Sequence, residues 1–323
     1  MKIGFSTASF GLYVLLVFLS GGVQAQEKLV VGYTNLRSAK IPVPVGKEAG
    51  IFSRHGLDLK LVRARPGRTA IPKLIAGKID IFLGNGFPTV QAVVKKNAKV
   101  AIIASLGETS MHLVARSGIR TAKDLKGKRI GVSRPGSSAD RIARATLRTL
   151  GLDPDRDVEI VATGVSNSRG RLELVLENFI DAAIVSTPTL LTLGKKKEKI
   201  STIANLEDLG LFVSGADISV KRDFIKQRRG TLKRVLTALL ESIAKTKEDQ
   251  EITRLAYRKY GKIKNPDSLK WLVNKYVPAK IPSVPYPSRK AISSYLKESG
   301  ASGLDMKAVA DPTLLKEITA SSR

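Results

Sequence analysis

The chain runs to 323 residues, with 55 Lys and Arg against 28 Asp and Glu, a formal charge of +27 and no cysteine. That length is enough for two lobes of ordinary domain size, and the lack of cysteine excludes disulfides and argues against a lipid-anchored leader. The surplus of positive charge favours anionic partners, but aromatic residues are only 5% and do not interleave with the basic ones, which argues against a base-stacking nucleic-acid platform.

Lys2, the apolar run Leu12 to Leu19, the Gly21-Gly22 break and Val23-Gln24-Ala25 read as a secretory signal peptide over residues 1–25. The run is shorter than the roughly 20 apolar residues of a membrane span. The mature chain is therefore expected in the periplasm.

The next elements form a unit that is written twice. In the first copy, the strand Leu29 to Gly32 leads to a helix Val45 to Ser53, with Pro42 and Pro44 at its start. His55-Gly56-Leu57 closes the helix, and a strand Leu59 to Val62 follows. Gly67 to Thr69 is a turn before the helix Ala70 to Ala76, which Gly77 ends. The third strand is reached through Ile79-Asp80 and runs to Leu83. Gly84 to Pro88 turns into the helix Thr89 to Lys95, a strand Val100 to Ala104 follows, and Met111 to Ala115 is the strand expected to cross to a second lobe.

The second copy starts after Thr121 to Leu125, which has the spacing of a capping box with Asp in place of Glu. Its parts are the strand Arg129 to Val132, a helix Arg141 to Leu150 closed by Gly151, the strand Val158 to Val161, a helix opened by Ser166 to Arg171, and a third strand reached through Ile180-Asp181 and running to Val185. Arg141, Arg144 and Arg148 share one face of their helix and read as its solvated side. The return crossing falls between Leu206 and Ser219, and Leu232, Val235, Leu236, Leu239, Leu240 and Ile243 then mark an amphipathic helix. Beyond Asp249 the tail reads as further helices, with a proline-rich link from Pro278 to Pro287.

Two βαβαβ units predict an α/β chain of two lobes joined by two crossings, with a helical C-terminal tail packed back on the first lobe. The expected bounds are 26–115 plus 219–323 for the first lobe and 116–218 for the second. Ligands of parallel α/β sheets bind beyond the carboxyl ends of the strands. The segments there supply the candidates: Thr34, Asn35, Arg37 and Ser38 after the first strand; Asn85, Gly86 and Phe87 after the third; Thr109 before the crossing; Arg134, Gly136, Ser137 and Ser138 in the second lobe; and Thr187 after its third strand. Ser137 and Ser138 stand at a helix N-terminus, where an anion site and an ordinary N-cap are both open readings. Phe87 either stacks on a ligand or fills the core, and Ser166 to Arg171 is a second helix start that could take an anion. Nothing resembles a metal site, a nucleophile elbow or a complete dinucleotide fingerprint, since Thr89 stands where the third glycine belongs. His112, in an apolar strand, reads as an interior residue. No cofactor, metal or catalytic step is expected.

Three runs, in this order, are similar to one known family. Pro42-Val43-Pro44-Val45-Gly46-Lys47-Glu48-Ala49-Gly50-Ile51-Phe52, with His55-Gly56-Leu57-Asp58-Leu59, resembles the opening of the periplasmic substrate-binding proteins for nitrate, sulfonate and taurine, which also include binding proteins for thiamine-pyrimidine precursors. Lys73 to Asp80 resembles that family's helix, glycine and Ile-Asp element, and Asp124 to Val132 its passage into the second lobe. The resemblance covers about residues 28–245. It implies a type II periplasmic-binding fold whose lobes close on a small polar ligand, here anionic, and present it to the permease of an ABC transporter. A free monomer is expected. The chain departs at Val43 and Val45, where family members often carry an aromatic residue, and lacks the His and Cys that related synthases use.

Overall fold

The computed structural model describes residues 25–64 and 69–321; all but the last residue of the expected signal peptide, 1–25, and the turn at Gly67 fall outside them. Ten strands, β1 Glu27–Tyr33, β2 Leu57–Arg63, β3 Ile81–Gly84, β4 Val100–Ser105, β5 Met111–Arg116, β6 Arg129–Val132, β7 Glu159–Ala162, β8 Ala182–Ser186, β9 Ile200–Asn205 and β10 Asp217–Lys221, form two five-stranded sheets. Their orders are β2-β1-β3-β10-β4 and β7-β6-β8-β5-β9. In each, the first three strands run parallel and one antiparallel strand has been inserted.

The inserted strands are the ones that follow the crossings. β10, which follows the second lobe in sequence, fills a gap in the first sheet, and β5 does the same in the second. Met111 to Ala115, expected to belong with the first lobe, pairs along its length with β8 and β9 and so lies in the second sheet. Its residues are mostly apolar, as a strand buried on both faces requires, and such a run does not say which sheet receives it.

The repeated residues have a shared cause. Asp80 donates its N–H to the Val30 carbonyl (2.9 Å) and accepts the Val30 N–H on Oδ2 (2.8 Å). Asp181 repeats both bonds with Arg129, at 2.8 and 2.9 Å. The carboxylate thus closes the ladder where the third strand begins. The isoleucine just before it needs room on the first strand, and a Cβ at Gly32 or Gly131 would collide with Ile79 or Ile180. Gly, Ile and Asp form one device, used twice.

The helix expected as a single piece from Val45 to Ser53 is two, Pro42–Glu48 and Ile51–Arg54. Gly50, at φ +67°, breaks it, because a left-handed residue cannot continue a right-handed helix. The long helix Arg229–Glu248 buries Leu232, Val235, Leu236, Leu239 and Ile243 in the first lobe's core. Each such side chain gains roughly 1.5–3 kcal/mol on leaving water. The tail adds Leu272, Tyr276, Leu314 and Ile318 to that core. A second cluster joins Ile292, Tyr295 and Leu296 to Phe87, Val90 and Ile102. The tail also reaches the second lobe, where the Ser268 hydroxyl donates to the Pro188 carbonyl at 3.0 Å. Among the described residues no helix is long and apolar enough to cross a membrane.

Candidate functional site

The two crossings run side by side. Leu106 N–H donates to Ala216 O (2.7 Å), Gly215 N–H to Gly107 O (2.8 Å), Thr109 N–H to Val213 O (2.8 Å) and Leu206 N–H to Met111 O (3.0 Å). The tail braces this ribbon: Tyr276 hydroxyl donates to Glu108 O at 2.6 Å and Lys280 pairs with Glu207 at 2.7 Å. The strand-end segments of both sheets lie to either side of this hinge.

On the first lobe, Thr34 is half-buried and Asn35 exposed. Asn35 Oδ1 accepts the Arg37 N–H (3.3 Å), and Arg37 Nε donates to Gly261 O (2.7 Å), so the tail aims this guanidinium. Ser38 is left-handed at φ +49° and its carbonyl accepts the Tyr257 hydroxyl. Asn85 is committed within the protein: Nδ2 donates to Tyr295 Oη (2.8 Å) and Ser214 O (3.3 Å), and Oδ1 accepts the Phe87 N–H (3.1 Å). The Gly86 N–H donates to Asp217 Oδ2 at 2.7 Å. Phe87 is 3% exposed and packs edge-on against Tyr295, centroids 5.9 Å apart. Of its two open readings, the core is where it sits.

Two buried residues of opposite charge, Lys40 and Asp217, escape sequence reasoning. Lys40 Nζ donates to Gly215 O (2.5 Å), and Asp217 accepts from Gly86 N and from Ser105 Oγ (2.5 Å). Burial pushes the lysine down to about 8, partly offset by Asp217, and burial pushes Asp217 up to about 6 against its hydrogen bonds and Lys40. A signal existed: each is a lone charge in an apolar run, Ala39-Lys40-Ile41 and Ala216-Asp217-Ile218.

On the second lobe, Ser137 is an N-cap. Its Oγ accepts the Asp140 N–H at 3.2 Å. Gly136, at φ +70°, donates its N–H to Asp140 Oδ2 (2.7 Å). The positive end of this helix thus already holds a carboxylate of its own, which Arg144 Nε also binds (2.8 Å). Ser138 is half-buried in the first turn, and Arg134 is exposed on the loop before it. Thr187 Oγ1 hydrogen-bonds His112 Nε2 (2.8 Å), and the Thr187 N–H donates to Ser110 O (3.2 Å) at the hinge. Burial lowers the His112 pKa against the pull of Glu207 and Asp208, which favours the neutral ring.

The helix opened by Ser166 to Arg171 adds a different feature. Arg171 is 3% exposed, with terminal nitrogens donating to Val165 O and Ile184 O, each at 3.1 Å, and a buried Nε that has no partner among the described residues. Burial alone lowers it to about 10. The Arg37 pKa is lowered by burial and then by the like charges of Arg169, from the second lobe, and Arg63.

In the sequence Arg141 reads as part of a solvated stripe. Instead it spans the lobes, its Cζ 3.2 Å from the Phe87 ring centroid and its guanidinium paired with Glu298 of the tail. The helical period gave its face correctly; what covers that face comes from residues more than 50 and 150 positions away. Such a set of oriented donors can hold a small anion. Among the described residues no group of three or more His, Cys, Asp and Glu could hold a metal ion.

A family model described as "NMT1/THI5 like" matches residues 38–253. A binding protein of Brucella abortus (strain 2308) is 31% identical over 163 residues, which is 50% of this chain and 48% of that protein. The chain thus spans about half the length of the curated relatives it first matches. Among solved structures, the periplasmic aliphatic sulphonate binding protein SsuA from Escherichia coli superposes with a TM-score of 0.69 at 17% identity, covering 89% of this chain and 93% of that one. The periplasmic nitrate-binding protein NrtA from Synechocystis PCC 6803 gives 0.72 at 15% identity, covering 92% and 89%. The fold is that of the periplasmic binding proteins.

Proposed function

The chain belongs to the NMT1/THI5-like family, and we propose that it is the periplasmic solute-binding component of an ABC importer, taking a small polar anion between its lobes and handing it to a permease. The anionic preference is supported by Arg37 of the first lobe, which feels the like charges of Arg63 and of Arg169 of the second. An anion placed between like charges removes their repulsion, so it favours the closed form over the open one. The sulfonate- and nitrate-binding neighbours support the ligand class without choosing within it. No catalytic step is needed. Thr34, Asn35, Arg37 and Ser38 on one rim, and Arg134, Ser138 and Thr187 on the other, are the proposed contacts.

A thermal-shift and calorimetric screen of nitrate, taurine, aliphatic sulfonates and pyrimidines tests this. A ligand present at a hundred times its Kd should stabilise the chain by about 2.7 kcal/mol. A panel that leaves the melting temperature unmoved and gives no heat overturns it. A second reading, an adaptor of the same fold without transport, draws on Arg141 of the second lobe stacking on the buried Phe87 of the first. A flat screen favours that one.

A further inference from the structure

Arg141 and Glu298 each sit at the wrong end of a helix. Arg141 is the fourth residue of Ser138–Thr149, near the positive end of its dipole, and Glu298 is the last of Arg289–Glu298, at the negative end. Neither helix gains from its charge. The pair that they form is set between the lobes, with side chains 15% and 24% exposed. One face of the guanidinium is covered by Phe87, at 3.2 Å from the ring centroid. A guanidinium so far removed from water needs a counter-anion, and Glu298 supplies one. Burial raises the Glu298 pKa, and Arg141 only partly offsets this, so the carboxylate is not at ease there.

Glu298 also lines, with Ile142, Phe212 and Ser294, a small dent open to solvent. The dent lies between the second lobe's helix, the return crossing and the tail, so Glu298 borders solvent on that side.

We infer that Glu298 is a built-in stand-in for the ligand's anionic group: in the empty protein it occupies Arg141, and an arriving anion displaces it and takes the guanidinium. Arg141 is then the second lobe's charge-reading residue, and the Arg141–Glu298 pair sets the threshold that a ligand must beat. This rests on the anion-binding reading above. It makes affinity a competition, since every ligand pays for release of the carboxylate.

The test uses the full mature chain and three probes, sodium nitrate, taurine and methanesulfonate. Replacing a charged competitor by a neutral one, Glu298→Gln, should tighten the best-bound probe by roughly fivefold. Arg141→Met should abolish its binding, and Arg141→Lys should restore part of it. In the absence of any probe, small-angle scattering should give Glu298→Gln and Arg141→Met a larger radius of gyration than the wild type, because the link between the lobes is gone. Circular dichroism and melting curves establish that each variant is folded. Affinity in Glu298→Gln that is unchanged or weaker overturns the inference, and so does retained binding in Arg141→Met. If the wild type itself binds none of the probes, the anion-binding reading fails, and the scattering comparison alone decides whether the pair links the lobes: an unchanged radius in both variants overturns it.

Discussion

The two lobes share a backbone device and differ in what they do with charge. Asp80 and Asp181 bind the same two groups of the first strand, yet Asp80 is 25% exposed with Arg228 at 3.6 Å, whereas Asp181 is 7% exposed and held by Arg116 at 2.8 Å and Arg129 at 3.0 Å. Near the cleft the contrast reverses. The first lobe buries a lysine together with an aspartate, Lys40 and Asp217, while the second buries Arg171 with carbonyls alone. The repeat keeps what closes a sheet. It lets the buried charges around that device diverge.

The contrast can be broken most severely at Asp217. Asp217→Ala strips the acceptor from the Gly86 N–H and the Ser105 hydroxyl and leaves Lys40 buried without a counter-charge. The expected loss is on the order of 4 kcal/mol, since two buried donors lose their acceptor at roughly 1–3 kcal/mol each. Urea unfolding reads this directly, and a loss under about 1 kcal/mol would mean that neither donor depends on Asp217.

Next in size is Asp181. Asp181→Asn should cost about 3 kcal/mol and Asp80→Asn about 1, because the first loses charge-assisted bonds to two arginines and the second keeps most of its neutral contacts. The effect carries a pH signature. Burial alone would raise the Asp181 pKa, but the Arg129 side chain and N–H and the Arg116 side chain outweigh it and hold the carboxyl well below the usual carboxylate range. The ionised form therefore stabilises the fold in full above the ordinary carboxylate pKa, and that contribution is lost as pH falls through the depressed value. The gap between wild type and Asp181→Asn should be wide at pH 7 and should shrink steadily below pH 4. A gap that stays constant would rule out the ion pairs as its source.

A smaller change sharpens the likeness rather than the difference. Gly32→Ala and Gly131→Ala should each destabilise by roughly 1–3 kcal/mol, the cost of overpacking, and by similar amounts, because each new methyl meets the same isoleucine neighbour. Unequal losses would mean that one lobe relaxes around the intrusion and the other does not.

Much of the fold was legible because it is local or periodic. The Ile-Asp pairs, the glycine-closed helices and the amphipathic stripe from Leu232 to Ile243 are set by neighbours within one or two turns of chain. What escaped was set by distant partners. Nothing within Met111 to Ala115 says which sheet will accept it, since the receiving edges of β8 and β9 lie about 70 to 90 residues on. Arg141 looked like a solvent-facing stripe because its cover, Phe87 and Glu298, comes from two other parts of the chain. Of the candidate residues, Asn85 and Phe87 turned out to face inward for the same reason: Tyr295, their common neighbour, is more than 200 positions away.

The smallest expected effect bears most directly on the cleft. Ser137 and Ser138 are adjacent and share one reading in the sequence, but their roles separate in the structure. Ser137 Oγ is spent on the Asp140 N–H, so Ser137→Ala should cost about 1 kcal/mol of stability, as loss of an N-cap does, and leave anion affinity alone. Ser138 is already inside the helix and half-buried, and Ser138→Ala should change stability by no more than about 0.5 kcal/mol. If its hydroxyl donates to a bound anion, affinity should fall roughly tenfold, the lower end for a hydrogen bond to a charged group. Melting curves and titrations of the two single variants would show the effects crossing over. Were Ser138→Ala to lower stability and spare binding, the start of this helix would be an ordinary cap, and the second lobe would hold its anion through arginines alone.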